Sequence, residues 1–165
     1  MNKTNAMRQL DKAGIGYEVL EYDVPMEEFS GQRVAEVLGM DEKACYKTLA
    51  LKNGHDIYIC VISVDREIDL KKCAKELGVK NLEMVHVKDL LKDVGYERGS
   101  VTPIGVKKNK GIYFDKEVLE HDVIEVSAGT YGMGLKLKRD ELLGFLKARV
   151  KDISAEEVQV SGGVL

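Results

Sequence analysis

Lys47 begins an otherwise apolar segment, residues 47–52 (Lys-Thr-Leu-Ala-Leu-Lys), whose composition is typical of a buried strand. A lysine in such a strand either extends its ammonium group to solvent or points it into a cleft. Strand lysines usually face solvent, so the segment alone favours the first alternative. If the ammonium group enters a cleft, Lys47 is the residue best suited to orient a ligand or to stabilise negative charge.

Two glycine-containing segments could add backbone N–H groups to the same chemistry. In residues 99–105 (Gly-Ser-Val-Thr-Pro-Ile-Gly), Pro103 stiffens the chain and disfavours a helical conformation at Thr102. The flanking Gly99 and Gly105 would let a ligand approach bare backbone, whose N–H groups can stabilise a carbonyl oxygen that becomes negative during acyl transfer. Residues 127–132 could form an anion-binding nest. A plain turn or hairpin loop is compatible with either segment.

Few other side chains suggest catalysis. The sequence contains no motif of a zinc protease, a serine hydrolase or a nucleotide-binding loop, and His55, His86 and His121 stand in polar surroundings typical of surface or capping roles. The three cysteines are odd in number and lack CxxC spacing, which argues against a disulfide framework and a zinc site. Cys45 lies two residues from Lys47, whose charge would lower its pKa, although a buried inert cysteine is the commoner case. Neither a metal ion nor an organic cofactor is predicted.

The composition is that of an ordinary globular protein, with 44% hydrophobic and 32% charged residues in a chain of 165. This length suits one domain, predicted over residues 1–152 and followed by a loose tail over residues 153–165. No apolar stretch approaches the roughly 18 residues of a membrane span, and the first residues are not signal-like, so a cytoplasmic protein is expected.

The net charge of −3 argues mildly against generic nucleic-acid binding, but the distribution of charge is uneven. Basic residues cluster at 107–110 (Lys-Lys-Asn-Lys) and at 136–139 (Lys-Leu-Lys-Arg). Two such clusters on one face could contact a phosphate backbone, whereas separate clusters would simply be solvated.

Hydrophobic periodicity and turn residues predict the elements that must position these groups. Helices are expected over residues 4–13, 30–38, 70–77, 89–94 and 140–148, with Ser30 and Asp69 as caps. Strands are expected over residues 17–22, 47–52, 57–64, 83–87, 111–114, 123–126 and 135–138. Asn53-Gly54 predicts a hairpin between the second and third strands. This order favours an α+β fold with a mainly antiparallel, curled sheet, rather than a doubly wound α/β fold.

Five segments, taken in order, resemble the YbaK/EbsC family of aminoacyl-tRNA deacylases. They are residues 46–49 (Tyr-Lys-Thr-Leu), residues 69–78, Glu83-Met84, residues 99–108 and residues 127–129 (Ser-Ala-Gly). The resemblance spans about residues 5–150. It implies a curled, mainly antiparallel, barrel-like mixed sheet surrounded by helices, similar to the editing domain inserted in bacterial prolyl-tRNA synthetases.

The resemblance also implies a function. Such an enzyme cleaves the ester between a mischarged amino acid and the tRNA 3′ end, and YbaK-like members act on Cys-tRNA(Pro), with the substrate's own thiol as nucleophile. The implied partners are tRNA and prolyl-tRNA synthetase, and no cofactor is needed. By position, the resemblance assigns catalytic roles to Lys47 and Gly105. It assigns substrate binding to Tyr22, Thr48, Gly99, Ser100, Val101, Thr102, Pro103, Ile104, Ser127 and Gly129. It assigns contacts with the tRNA backbone to Lys107, Lys108 and Lys110.

One departure from the family pattern leaves the substrate open. Where well-known members carry an aspartate shortly after the second glycine loop, this chain has Gly134. A deacylase of the same fold that prefers Ala-tRNA(Pro) or another small amino acid is therefore an alternative. A non-catalytic module that binds tRNA or a synthetase is another, and a general nucleotide-binding domain is a third. The oligomeric state is not predicted.

Overall fold

A computed structural model describes residues 2–156. It contains five α-helices: α1 (Asn5–Lys12), α2 (Gly31–Leu38), α3 (Leu70–Leu77), α4 (Leu90–Asp93) and α5 (Arg139–Leu146). The first five strands are β1 (Glu18–Glu21), β2 (Tyr46–Asn53), β3 (Asp56–Ser63), β4 (Arg66–Ile68) and β5 (Glu83–Met84). The other five are β6 (Ile112–Asp115), β7 (Val123–Ser127), β8 (Met133–Lys138), β9 (Arg149–Lys151) and β10 (Ser154–Glu156).

Local signals set the ends of the longer helices as predicted. The side chains of Thr4, Ser30 and Asp69 accept hydrogen bonds from backbone N–H groups in the first turns of α1, α2 and α3. Gly39 and Gly78 end α2 and α3 in the left-handed conformation. Each of these helices therefore has a fixed start, and each exposes one face while it packs the other against a sheet.

The strands form three sheets rather than one. Five strands form a mixed sheet in the order β5-β2-β3-β6-β9, β1, β8 and β7 form an antiparallel sheet in the order β1-β8-β7, and β10 pairs with β4. The predicted β2–β3 hairpin is present, but its turn is shifted by one residue: Asn53 pairs with Asp56, and Gly54 and His55 form the turn. The chain between β3 and β6 crosses over, so β6 lies parallel to β3 and β9 lies parallel to β6. The α+β class is confirmed, but the predicted curled, barrel-like sheet is wrong, because no sheet within residues 2–156 closes on itself.

The central strand β3 is buried on both faces, as its continuous apolar sequence predicts. Ile59 and Val61 contact a core cluster that includes Phe114 and residues of α1. Cys60 and Ile62 point to the opposite face and join a second cluster with residues of α3. This rigid strand holds its neighbour β2 in place along the full length of the hairpin.

The last described residues are packed, and the predicted loose tail is wrong for them. Ile153 is fully buried, and Ser154–Glu156 pairs with β4. The carboxylate of Asp115 accepts hydrogen bonds from the backbone N–H groups of Ile153 and Ser154, at 3.0 and 3.1 Å. Residues 157–165 of that predicted tail lie outside the described residues. Within residues 2–156, none of the helices has the length and apolar character needed to cross a membrane.

Candidate active site

A cavity of about 310 Å³ opens beside an unpaired stretch of β2. One edge of β2 pairs with β3 throughout, whereas the other edge pairs with β5 over only two residues. The N–H of Val85 donates to the carbonyl oxygen of Ala50 at 2.9 Å, so Ala50 and, by alternation, Thr48 turn their backbone groups away from β3. At the start of β2, a single bridge between Cys45 and Glu125 joins this edge to β7. The gap between these two contacts forms one wall of the cavity.

Lys47 lies in this wall, opposite Ile62 of β3 in the hairpin register, and its side chain lines the cavity. The residue is half-buried, whereas its neighbours Tyr46 and Thr48 are buried. The Oγ1 atom of Thr48 is buried and lacks a hydrogen-bond partner among residues 2–156. Because an unsatisfied buried hydroxyl is costly, a bound ligand is a natural source of the missing partner.

The structure brings half of the predicted catalytic and substrate-binding residues together around the cavity. Those that line it are Tyr22, Lys47, Thr48, Gly99, Val101 and Ser127. The remaining six lie outside the lining: Ser100, Thr102, Pro103, Ile104, Gly105 and Gly129. The first loop therefore presents only its beginning, residues 99 and 101, to the cavity.

The second half of the first loop supports the site from behind. Thr102 and Ile104 are fully buried, and the hydroxyl of Tyr96 donates to the carbonyl oxygen of Ile104 at 2.6 Å. Gly105 faces α1, where an added Cβ would lie 2.7 Å from the side-chain amide nitrogen of Gln9. The structure thus does not bring Gly105 to the cavity, although the sequence predicts a catalytic role for it.

Ser127 ties the two glycine loops together. Its hydroxyl donates to the carbonyl oxygen of Ser100 at 3.2 Å and accepts the N–H of Gly129 at 3.1 Å. With both interactions made, the hydroxyl is held as a structural link between the two loops. An added Cβ at Gly129 would lie 3.1 Å from the ring of Tyr96, so this glycine is required for packing behind the site.

An aromatic group contributes Tyr22 and Phe29 to the cavity lining. The ring of Tyr22 packs edge-on against Tyr131 at 5.9 Å, and Phe29 packs against the same ring at 5.4 Å. The backbone N–H of Tyr22 donates to the carbonyl oxygen of Gly132 at 2.9 Å, which fixes the end of β1 against the second loop. Burial raises the pKa of Tyr22, so its hydroxyl stays protonated at neutral pH.

Two charged lining residues, Glu125 and Arg98, were not predicted from the sequence. Glu125 is only 6% exposed, and burial raises the pKa of its carboxyl to about 7, an effect that a hydrogen bond with Cys45 partly offsets. Burial raises the pKa of Cys45 to about 12, so this cysteine is an inert buried thiol and not a nucleophile. The one feature of the sequence that could have indicated a role for Arg98 is its position directly before Gly99.

The predicted tRNA-contacting lysines lie on one exposed loop outside the cavity. The ammonium group of Lys107 donates to the carbonyl oxygen of Lys92 at 3.1 Å, and that of Lys110 lies 4.0 Å from a carboxylate oxygen of Asp56. Lys108 is exposed. In the other basic cluster, Arg139 donates to three backbone carbonyl oxygens between residues 118 and 121, which indicates a structural role.

Within residues 2–156, no cluster of three or more His, Cys, Asp or Glu side chains could hold a metal ion. His55 and His86 are exposed, and no histidine or cysteine belongs to the cavity lining in this part of the chain. The chemistry available in the cavity therefore comes from a lysine, an arginine, a glutamate, hydroxyl groups and backbone N–H groups.

Residues 28–145 match the family model of the aminoacyl-tRNA editing domain, which covers more than half of the chain. The chain belongs to this family. A protein of Enterococcus faecalis proposed to be a Cys-tRNA(Pro)/Cys-tRNA(Cys) deacylase, EbsC, is 36% identical over 156 residues, which cover 94% of this chain and 95% of that protein. The family resemblance identified in the sequence is thereby confirmed, and the alignment extends over nearly the full length of that relative.

Two further comparisons place the editing domain in context. A proline–tRNA ligase of Fervidobacterium nodosum is 32% identical over 83 residues, which cover 50% of this chain and 14% of the ligase. A solved structure described as a proposed trans-editing enzyme for prolyl-tRNA synthetase has a TM-score of 0.78 at 22% identity and covers 95% of this chain and all of that one. The second comparison shows a shared fold. The names of these relatives support the prediction of a deacylase.

Proposed function

We propose that this chain is a trans-editing deacylase that removes cysteine from mischarged Cys-tRNA(Pro). The observation that carries the proposal is the convergence of Lys47, Gly99 and Ser127, from three distant segments, on one small cavity. At about 310 Å³, this cavity is at the lower end of the range for ligand pockets, which suits a small aminoacyl group. The name of the relative at 36% identity adds cysteine as the amino acid and proline tRNA as the carrier.

The make-up of the cavity supports a reaction in which the substrate supplies the nucleophile. Its lining in the described chain contains neither histidine nor cysteine, and the hydroxyl of Ser127 is held by the backbone of Ser100 and Gly129. A thiol held two carbons from the ester carbonyl carbon has a high effective concentration, so the protein need only fix the geometry and stabilise charge. The ammonium group of Lys47 and the backbone N–H of Gly99 are suited to hold the oxygen that becomes negative.

In the proposed reaction, the cysteinyl thiol loses its proton and its sulfur attacks the ester carbonyl carbon. A tetrahedral oxyanion forms and then collapses, which breaks the bond between the carbonyl carbon and the ribose oxygen. That oxygen takes up a proton, so the net transfer is from the thiol to the tRNA hydroxyl. The products are a cyclic thiolactone and tRNA with a free 3′ end, and water then opens the thiolactone to cysteine.

A panel of aminoacyl-tRNAs tests this proposal. Proline tRNA charged with cysteine, serine or alanine is incubated with the protein, and the loss of amino acid is followed with time. We expect cysteine to be released at least about 100-fold faster than serine or alanine, because only its side chain carries a strong nucleophile. A hydroxylamine or thiol trap added during the reaction should capture the thiolactone.

The other outcomes are equally informative. Equal rates on all three substrates would contradict the thiolactone step while leaving deacylation in place, and a preference for alanine would assign the chain to the alternative substrate class. No cleavage of any substrate, together with tRNA binding, would indicate a non-catalytic module. We further propose that prolyl-tRNA synthetase delivers the tRNA in the cytoplasm, and adding the synthetase should then raise the rate on Cys-tRNA(Pro) selectively.

A further inference from the structure

Glu125 and Gly134 share one volume in the wall of the cavity. β7 and β8 are antiparallel, and Lys136 lies opposite Glu125 while Gly134 lies opposite Ser127. The Glu125 carboxylate turns along the sheet toward Gly134, so that a Cβ added to Gly134 would lie 2.2 Å from the Glu125 Oε2 atom. A side chain at position 134 would therefore point to the place where the Glu125 carboxylate sits, and that carboxylate would have to move to make room.

We propose, on the basis of the function proposed above, that Glu125 binds the α-ammonium group of the aminoacyl ester and that Gly134 provides the space for its carboxylate. The carboxylate that lines the cavity thus comes from Glu125 on β7, whereas the neighbouring position on β8 is Gly134 and carries no side chain.

The chemistry of the substrate selects this role. Of the groups at the aminoacyl end, namely the ester carbonyl, the ribose hydroxyl, the thiol and the α-ammonium, only the last carries a full positive charge. A carboxylate that is 6% exposed is poorly hydrated, and an ammonium group that enters the cavity supplies both a counter-charge and hydrogen-bond donors. Glu125 lines the cavity, so it is within reach of a bound ligand.

The position of Glu125 relative to Lys47 fits the shape of the same substrate. Cys45 is bridged to Glu125, and Lys47 is two residues further along β2, so a cationic and an anionic residue both line the cavity near the start of this strand. In an aminoacyl ester, the α-carbon is bonded both to the ammonium nitrogen and to the carbonyl carbon, whose oxygen becomes negative. A site for this reaction needs groups of both charges, and Lys47 and Glu125 supply one of each to the cavity lining.

The first test compares substrates with and without the α-ammonium group. Proline tRNA carrying 3-mercaptopropionate keeps the thiol and the ester but lacks the amine. We expect the wild-type protein to cleave Cys-tRNA(Pro) at least about 30-fold more efficiently than this analogue, and Glu125→Gln to lose most of that difference. Glu125→Gln is nearly isosteric, and its melting temperature verifies that it is folded. An undiminished preference for the amine in a folded Glu125→Gln variant would overturn the proposal.

A second test moves the carboxylate to the neighbouring strand. Glu125→Ala should lower the rate on Cys-tRNA(Pro) at least about 30-fold, and Gly134→Asp alone should also impair the protein, because the new side chain displaces the Glu125 carboxylate and places a like charge beside it. The double variant Glu125→Ala/Gly134→Asp should recover at least about 10-fold of the rate that Glu125→Ala loses. A folded double variant that is no faster than Glu125→Ala would contradict the exchange of positions.

Binding to a stable analogue separates this inference from the proposed function. Adenosine carrying cysteine through a 3′-amide cannot be deacylated, and the corresponding 3-mercaptopropionyl amide lacks only the amine. The wild-type protein should bind the first compound at least about 10-fold more tightly, and Glu125→Gln should bind both equally. This result would uphold the role of Glu125 even if no tested tRNA is cleaved, whereas equal binding by the wild type would overturn it even if Cys-tRNA(Pro) is cleaved.

Discussion

Gly99 and Tyr131 approach each other so closely that a Cβ on Gly99 would lie 2.9 Å from the Cδ2 atom of the Tyr131 ring. Gly99 also has φ of +87°, a conformation that side chains disfavour. The same tyrosine ring packs against Tyr22 and Phe29, both of which line the cavity. The first glycine loop and the aromatic group therefore hold each other in place.

Gly99→Ala should destabilise the protein and distort the cavity. We expect the free energy of unfolding to fall by about 2 kcal/mol, because backbone strain adds to a steric clash with Tyr131. Gly14→Ala is a matched control, since Gly14 has φ of +73° but an added Cβ there meets nothing within 4 Å. Denaturant titration should show a larger loss for Gly99→Ala. Equal losses would mean that the ring moves aside at no cost.

Lys47→Ala should abolish most of the activity and leave the fold intact. Removal of one preorganised charge beside a developing oxyanion typically lowers kcat about 100-fold or more. Lys47 is half-buried and contributes little apolar packing, so we expect the free energy of unfolding to change by less than about 1 kcal/mol. The control is Lys52→Ala, which removes a lysine of the same strand that pairs with Glu83 at 3.5 Å outside the cavity. An unchanged rate for Lys47→Ala on Cys-tRNA(Pro) would contradict the assigned site.

The stability of the protein should fall between pH 5 and pH 8 because of Glu125. Burial raises the pKa of this carboxyl to about 7 in the folded state, whereas an exposed glutamate in the unfolded chain titrates near about 4.3. The folded state binds the proton more tightly, so this contribution is complete below the unfolded pKa and is lost as pH rises through 7.

Glu125→Gln cannot ionise and should be free of this loss. The difference in free energy of unfolding between Glu125→Gln and wild type should shift in favour of the variant by up to about 3 kcal/mol from pH 5 to pH 8. Urea titrations of both proteins across this range measure the difference. A constant difference would show that the Glu125 carboxyl is solvated in the native protein.

The elements were largely predictable because their signals are local. Asn53-Gly54 indicates the β2–β3 hairpin, and Ser30 and Asp69 cap their helices with their own side chains. The residues that β3 contributes to the two core clusters are apolar, so its burial on both faces is visible in the sequence. The missed strands β4, β9 and β10 have only three residues each and are set by their partners. Arg149–Lys151, for example, contains a single apolar residue, which is too few to show a period, and it is a strand because β6 lies beside it. The division into three sheets is likewise a property of long-range pairing.

The site was predictable where a residue is unusual in its own segment and not where its role depends on another strand. Lys47 stands out in an apolar strand, and Gly99 and Ser127 stand in glycine loops. In contrast, Glu125 alternates with Ile124 and Val126 in the way that a solvent-facing residue does, yet it is buried because Gly134 leaves space for it. Gly134 departs from the family pattern, but the sequence does not indicate that the Glu125 carboxylate occupies the space beside it.

Lys108 offers a test of the proposed contact between the exposed loop and tRNA. Each lysine that contacts a phosphate releases a counterion, so Lys108→Ala should reduce the slope of log affinity against log salt concentration by about one. The effect should be similar for different tRNAs, because phosphate contacts carry no sequence information. Lys116→Ala is the control, since this lysine lies outside the loop and within 3.5 Å of a carboxylate oxygen of Asp152. Fluorescence anisotropy with uncharged tRNA between 50 and about 300 mM salt measures both slopes. An identical slope for wild type and Lys108→Ala would place the tRNA backbone on another surface, because a lysine that leaves the ion atmosphere unchanged does not touch a phosphate.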